Sequence, residues 1–124
     1  MKLSDREFAE IIRSALDRIP PEIRHHIANV TITVQDRPPQ ALMEEMGLPP
    51  GEELFGIYMG ESLTERSITC PSLYPESITV FKEPLENACD TTEELAEEIE
   101  ITIVHEVAHF FGISEERLRE LGYD

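Results

Sequence analysis

Two histidines four residues apart, with a glutamate beside the first, stand near the end of the chain as His105-Glu106-Val107-Ala108-His109. On a helix, side chains at that spacing project from one face, so the two imidazoles can hold one ion between them while Glu106 sits one step around. In H-E-x-x-H sites the neutral imidazoles bind zinc, and the glutamate takes a proton from the water that zinc activates. A carboxylate so placed can then pass that proton to a leaving amine, the general acid and base work of peptide-bond hydrolysis. The neighbours sharpen the reading. Ile99, Ile101, Ile103, Val104, Val107, Ala108, Phe110, Phe111 and Ile113 make the segment apolar nearly all round, the mark of a buried helix. An ionisable group buried there is costly unless it is paired or binds a metal.

Catalytic zinc in a tetrahedral site takes three protein ligands and a water, so a third ligand is required. Gly112 can turn the chain sharply after His109 and bring the following residues back beneath the metal. Glu115 then stands where the extended pattern H-E-x-x-H-x-x-G-x-x-(H/D) places its last ligand. Its structural alternative is a carboxylate at the positive end of a short helix. Metal ligands are therefore expected at His105, His109 and Glu115, with zinc as the cofactor and Glu106 as the base.

The whole segment H-E-V-A-H-F-F-G-I-S-E-E-R-L-R-E-L-G-Y-D resembles the C-terminal signature of the bacterial minimal zincins, a family of short zincin-like metallopeptidases, and the chain's length and acidity match too. That resemblance implies a zincin-like fold, zinc held by His105 and His109, and Glu106 as catalytic base. The family's related pattern ends in aspartate, where this chain has Glu115. Larger metzincins support their site with a methionine after the motif, but Met1, Met43, Met46 and Met59 all precede His109. Tyr123 is the one aromatic residue after Gly112, and the resemblance suggests that it packs beneath or beside the site. It is also a candidate catalytic residue, donating to a developing oxyanion; simple packing is the alternative. By fold analogy, an extended substrate pairs with the sheet edge beside the active-site helix, and Ser77 to Phe81 is the candidate strand.

The elements that must position these residues are legible in outline. Ser4 can cap a helix to about Ile19, with Phe8, Ile11, Ile12, Ala15, Leu16 and Ile19 at helical spacing, and Pro20-Pro21 ends it. A short helix near Glu22 to Ile27 precedes a strand at Val30 to Val34, whose Val30, Ile32 and Val34 should face the core. A helix at Gln40 to Met46 ends at Gly47, and Leu54 to Met59 reads as a second strand. Gly60 to Glu76 is polar and holds two X-Pro pairs, the longest candidate loop. A third strand at Ser77 to Phe81 leads to a short helix from Pro84, a long helix from about Glu93 to Phe111, and a last one from Glu115 to Leu121 capped by Ser114. The expected fold is α+β, a single zincin-like domain over 1–124 with about three strands packed by helices and the active-site helix near the C-terminus.

Composition restricts the partners. Ten basic against 26 acidic side chains leave a net charge of −16, which repels phosphate backbones and anionic lipid. From Glu83 to Glu116 there are eleven acidic residues and no lysine or arginine, a field that draws cations or basic peptides, although most of these glutamates read as a solvated helix face. A peptide or protein substrate is the expected partner, a homodimer is admissible, and nucleic acid and membrane are not expected. No apolar run is long enough for a membrane span. The charged N-terminal stretch lacks a signal-peptide core, so a cytoplasmic location is expected, with Cys70 and Cys89 as buried or idle thiols rather than a disulfide. His25 and His26 read as surface residues.

Two other functions share these features. A zincin-derived module could bind a protein partner, or metal weakly, without turnover; the intact Glu106 favours the enzyme. A metal-dependent endoribonuclease would use His105, His109 and a histidine at position 115, but that residue is Glu115 and the charge is wrong for RNA.

Overall fold

The sequence signals for helix starts are used as written. Ser4 accepts from the Glu7 N–H at 3.1 Å while the Glu7 carboxylate accepts from the Ser4 N–H, also at 3.1 Å, a reciprocal cap that opens α1 (Asp5–Arg18). Phe8, Ile12 and Ala15 form its buried face. Pro21 then begins α2 (Pro21–Ile27), where a residue without an N–H costs no helical hydrogen bond. The computed structural model describes residues 1–49, 52–59 and 76–123. Within them follow β1 (Thr31–Gln35), α3 (Gln40–Glu45), β2 (Gly56–Met59), β3 (Ser77–Phe81), α4 (Lys82–Ala88), α5 (Thr92–Phe111) and α6 (Glu115–Glu120). The expected loop from Gly60 lies outside the described residues except for Glu76, as does Cys70; Cys89 is a buried free thiol. The architecture is the expected small α+β arrangement, and among the described residues no helix is long and apolar enough to cross a membrane.

Among the described residues the strands form one mixed sheet in the order β1-β3-β2, with β3 parallel to β1 and antiparallel to β2. This corrects one expectation. Ser77–Phe81 is the central strand, its backbone used by a ladder on each side and four of its five residues buried, so it offers no free edge. The edge beside the long helix is β2. A second correction concerns β1: Ile32 is half-buried but Val34 is 42% exposed. Within the sheet α5 packs chiefly on β2 and β3, which leaves the end of β1 less covered.

α5 is the centre of the molecule. Leu95, Ile99, Ile103, Val104 and Val107 are fully buried between the sheet on one side and α1 and α2 on the other, where Phe8, Ile19 and Ile23 meet them. The helix comes unusually near β2 at Gly56. A Cβ on that residue would lie 2.9 Å from the Thr102 Cγ2 and 3.1 Å from the Thr79 carbonyl oxygen. The absent side chain thus sets the separation of strand and helix. Gly56→Ala is expected to lower the unfolding free energy by about 1–3 kcal/mol, the usual cost of overpacking, measured by urea denaturation; an unchanged midpoint would show that the contact relaxes freely.

Candidate active site

Two adjacent stripes of α5 hold the candidate residues. Thr102, Glu106 and Phe110, successive at i, i+4 and i+8, lie along β2. Thr102 abuts Gly56, the Glu106 Oε2 accepts from the Tyr58 backbone N–H at 3.1 Å, and the Phe110 ring stacks on the Tyr58 ring at 4.0 Å between centroids, with 12° between planes. His105 and His109 form the neighbouring stripe, the first half-buried and the second exposed. The motif residues therefore sit where the sequence placed them, on one well-formed helix, with the carboxylate turned to the strand and the imidazoles beside it.

Glu106 is a carboxylate in an unfavourable place. Burial pushes its pKa above the ordinary carboxylate range, while the Tyr58 N–H and the nearby imidazoles of His109 and His105 act in the opposite direction without cancelling it. Desolvation makes a carboxylate a better proton acceptor.

The far end of α5 is wrapped in rings. Phe111 stacks on His26 at 4.4 Å and meets Phe110 edge-on at 5.0 Å, and the Tyr58 hydroxyl donates to the Glu76 Oε2 at 3.0 Å. His26 is thus half-buried packing rather than the surface residue expected, while His25 is exposed. The sequence held no signal for this contact, because His26 and Phe111 meet only through the docking of α2 on α5. Tyr58 was likewise invisible as a site residue: it contributes a main-chain donor, which every residue but proline has.

Beyond the motif, Gly112 adopts the left-handed conformation at φ 71° and ψ 30°, and the Ile113 N–H returns to the Ala108 carbonyl at 2.9 Å. Ser114 caps α6 by accepting from the Arg117 N–H at 3.1 Å, and Glu115 is the first helical residue, exposed to solvent. Among the described residues no three His, Cys, Asp or Glu side chains are grouped so that they could hold one ion, so Glu115 is not gathered with His105 and His109 into a finished cage. In kind, the donors fit zinc: two imidazoles one helical turn apart, with a carboxylate base next to the first.

Tyr123 packs elsewhere. Its ring is buried and its hydroxyl donates to the Glu100 Oε2 at 2.5 Å, while the Glu100 Oε1 receives Arg18 of α1 at 3.1 Å. Burial first, then this hydrogen bond, pushes the phenol pKa upward. Glu100 and Glu106 are six residues apart on α5, which on a helix turns them well away from each other. The tyrosine hydroxyl therefore sits with the α1 contact.

A family model described as zincin-like metallopeptidase matches residues 27–123, leaving out α1 and nearly all of α2. Among solved structures, a conserved hypothetical protein from Thermo thermophilus is similar over 95% of this chain and 99% of its own, with a TM-score of 0.53 and 14% identity, a likeness of fold. No curated protein matches the chain in sequence.

Two outcomes are expected from this geometry. Because the folded state raises the Glu106 pKa, the stability tied to its protonated form is complete below the unfolded carboxylate value and is lost as pH rises through the folded one. In metal-free protein Glu106→Gln should accordingly raise the melting temperature at neutral pH and leave it unchanged in acid; the same shift at both pH values would contradict the desolvation. Tyr123→Phe should lower the unfolding free energy by about 1–3 kcal/mol, since a buried acceptor on Glu100 loses its donor, as read from urea midpoints.

Proposed function

The chain belongs to the zincin-like metallopeptidase family, and from that premise we propose that it hydrolyses peptide bonds with the help of one zinc ion held by His105 and His109. Glu115 is our third ligand, reached from the first turn of α6. The observation that carries this reading is the setting of Glu106: a desolvated carboxylate, turned to the edge strand by the Tyr58 N–H, next to two imidazoles on one helical face.

Zinc, when bound, supplies Lewis acidity, polarising the scissile carbonyl and acidifying a water molecule. The chain's own groups do the rest. The Glu106 carboxylate takes the proton of the attacking water on its oxygen, its raised basicity favouring the transfer, and then delivers that proton to the nitrogen of the leaving amine. His105 and His109 stand one turn apart on a helix whose backbone is held by its buried face. Tyr123 is assigned to packing through Glu100 and takes no part in the proton transfers.

The substrate is an extended peptide, laid antiparallel or parallel along β2, the edge strand beside α5; this replaces Ser77–Phe81, which is internal. The net charge of −16 favours peptides rich in lysine and arginine.

Zinc titration by calorimetry on metal-free wild type, His109→Ala and Glu115→Ala tests the ligands, and hydrolysis of a peptide library by wild type and Glu106→Gln tests the base. One ion is expected to bind per chain. Loss of His109 should weaken it by more than about a hundredfold, beyond the usual cost of losing an outer-shell partner, and Glu106→Gln should abolish cleavage while still binding zinc. Wild type that takes up no zinc would instead mark a zincin-derived interaction domain.

A further inference from the structure

The Phe81 N–H donates to the Phe55 carbonyl at 2.8 Å, and the register continues as Gly56 opposite Val80, Ile57 opposite Thr79, Tyr58 opposite Ile78. In an antiparallel pair, hydrogen-bonded and non-hydrogen-bonded positions alternate. Phe55 and Ile57 therefore exchange their main-chain bonds with β3, and Gly56 and Tyr58 turn theirs outward. Among the described residues β2 is an edge strand, so the outward groups are those an added strand would take. One of them, the Tyr58 N–H, is already given to the Glu106 carboxylate at 3.1 Å.

We propose that the Tyr58 N–H is a shared donor that acts as a latch: at rest it clamps the Glu106 carboxylate against the strand, and a peptide pairing with the β2 edge takes that N–H for its own carbonyl and releases Glu106. The inference rests on the reading of β2 as the substrate edge and adds a coupling to it. One N–H cannot serve two acceptors well at once, so strand binding and carboxylate release are the same event. The base is thereby held until a peptide backbone pairs with the strand, and is freed when it does. Gly56 is part of the device, since a side chain there would meet Thr102 and push the strand from the helix that bears Glu106.

The test uses metal-free full chain, where no hydrolysis can occur, and the probe acetyl-Lys-Val-Lys-Val-Lys-Val-amide, followed by amide NMR. The probe is expected to shift the Tyr58 amide. Glu106→Ala should bind it at least about fivefold more tightly than wild type, as expected when a competing charge-assisted hydrogen bond is removed. Simple electrostatics predicts the opposite, because the variant has lost a negative charge facing a cationic probe. Without peptide, the Tyr58 amide of Glu106→Ala should exchange with solvent faster than in wild type. Tyr58→Pro removes the N–H at an outward position where proline is tolerated, and in that background the gain from Glu106→Ala should vanish; if this variant does not fold, the comparison of wild type with Glu106→Ala decides alone. Equal or weaker binding by Glu106→Ala, or a probe that binds without touching Tyr58, overturns the latch. Failure of zinc binding or cleavage would leave these results readable, and intact zinc-dependent cleavage without the coupling would remove the latch alone.

Discussion

The burial of α5 is the constraint on which the rest of the structure depends. A helix of 20 residues packed between α1 and α2 on one side and the sheet on the other must account for every polar side chain it carries. For those that turn inward the answers come from α1 and the tail and from β2. Glu100 meets Arg18 from α1 and Tyr123 from the tail; Thr102 lies against Gly56 of β2; Glu106 meets the Tyr58 main chain. His105 and His109 fall at the margin of the buried surface, where a helix can be fixed by its core and still present side chains outward.

The two glutamates within one helix show how the same residue type divides between architecture and chemistry. Glu100 has a guanidinium on one oxygen and a phenol on the other, so its charge is matched and its orientation fixed. Glu106 is held by a backbone amide where Glu100 is held by a cation, and desolvation leaves it more basic than an ordinary carboxylate. Full pairing would stabilise the fold and take away the basicity. The half-answered carboxylate is the one adjacent to the imidazoles, which is why its setting, more than the motif's letters, argues for proton transfer.

Helix ends were legible because caps are local. Ser4 before α1, Gly112 after α5 and Ser114 before α6 are each read from a few neighbouring letters, and each is used in the structure. The motif on one helical face was legible for the same reason. Strand order was not: the alternation at Thr31–Gln35 and Ser77–Phe81 tells which residues share a face, but which strand is central depends on pairings between distant segments. Nor could the letters reveal Tyr58, whose contribution is an N–H, or His26, whose ring finds Phe111 only once α2 has docked. What the pattern missed is the part of the site made by tertiary contact.

α6 shows the same logic applied to the proposed third ligand. Its start is set by the Gly112 turn and the Ser114 cap, its middle by the ion pairs of Arg117 with Glu22 of α2 and with Glu120 at 2.7 Å, and its end by Tyr123, whose N–H returns to the Leu118 carbonyl at 2.8 Å and whose hydroxyl reaches Glu100. A helix tied at both ends and across its middle has its backbone anchored. On the proposed reading the approach must then come from the side chain at position 115 itself, and there a glutamate differs from the aspartate of the related pattern in a useful direction. One more methylene adds about 1.5 Å of carbon–carbon bond length to the reach, together with one more rotatable torsion. On that proposal the departure from the pattern and the position of α6 belong together: the tail stays anchored to the core, and the longer side chain at Glu115 is what would span the remaining distance.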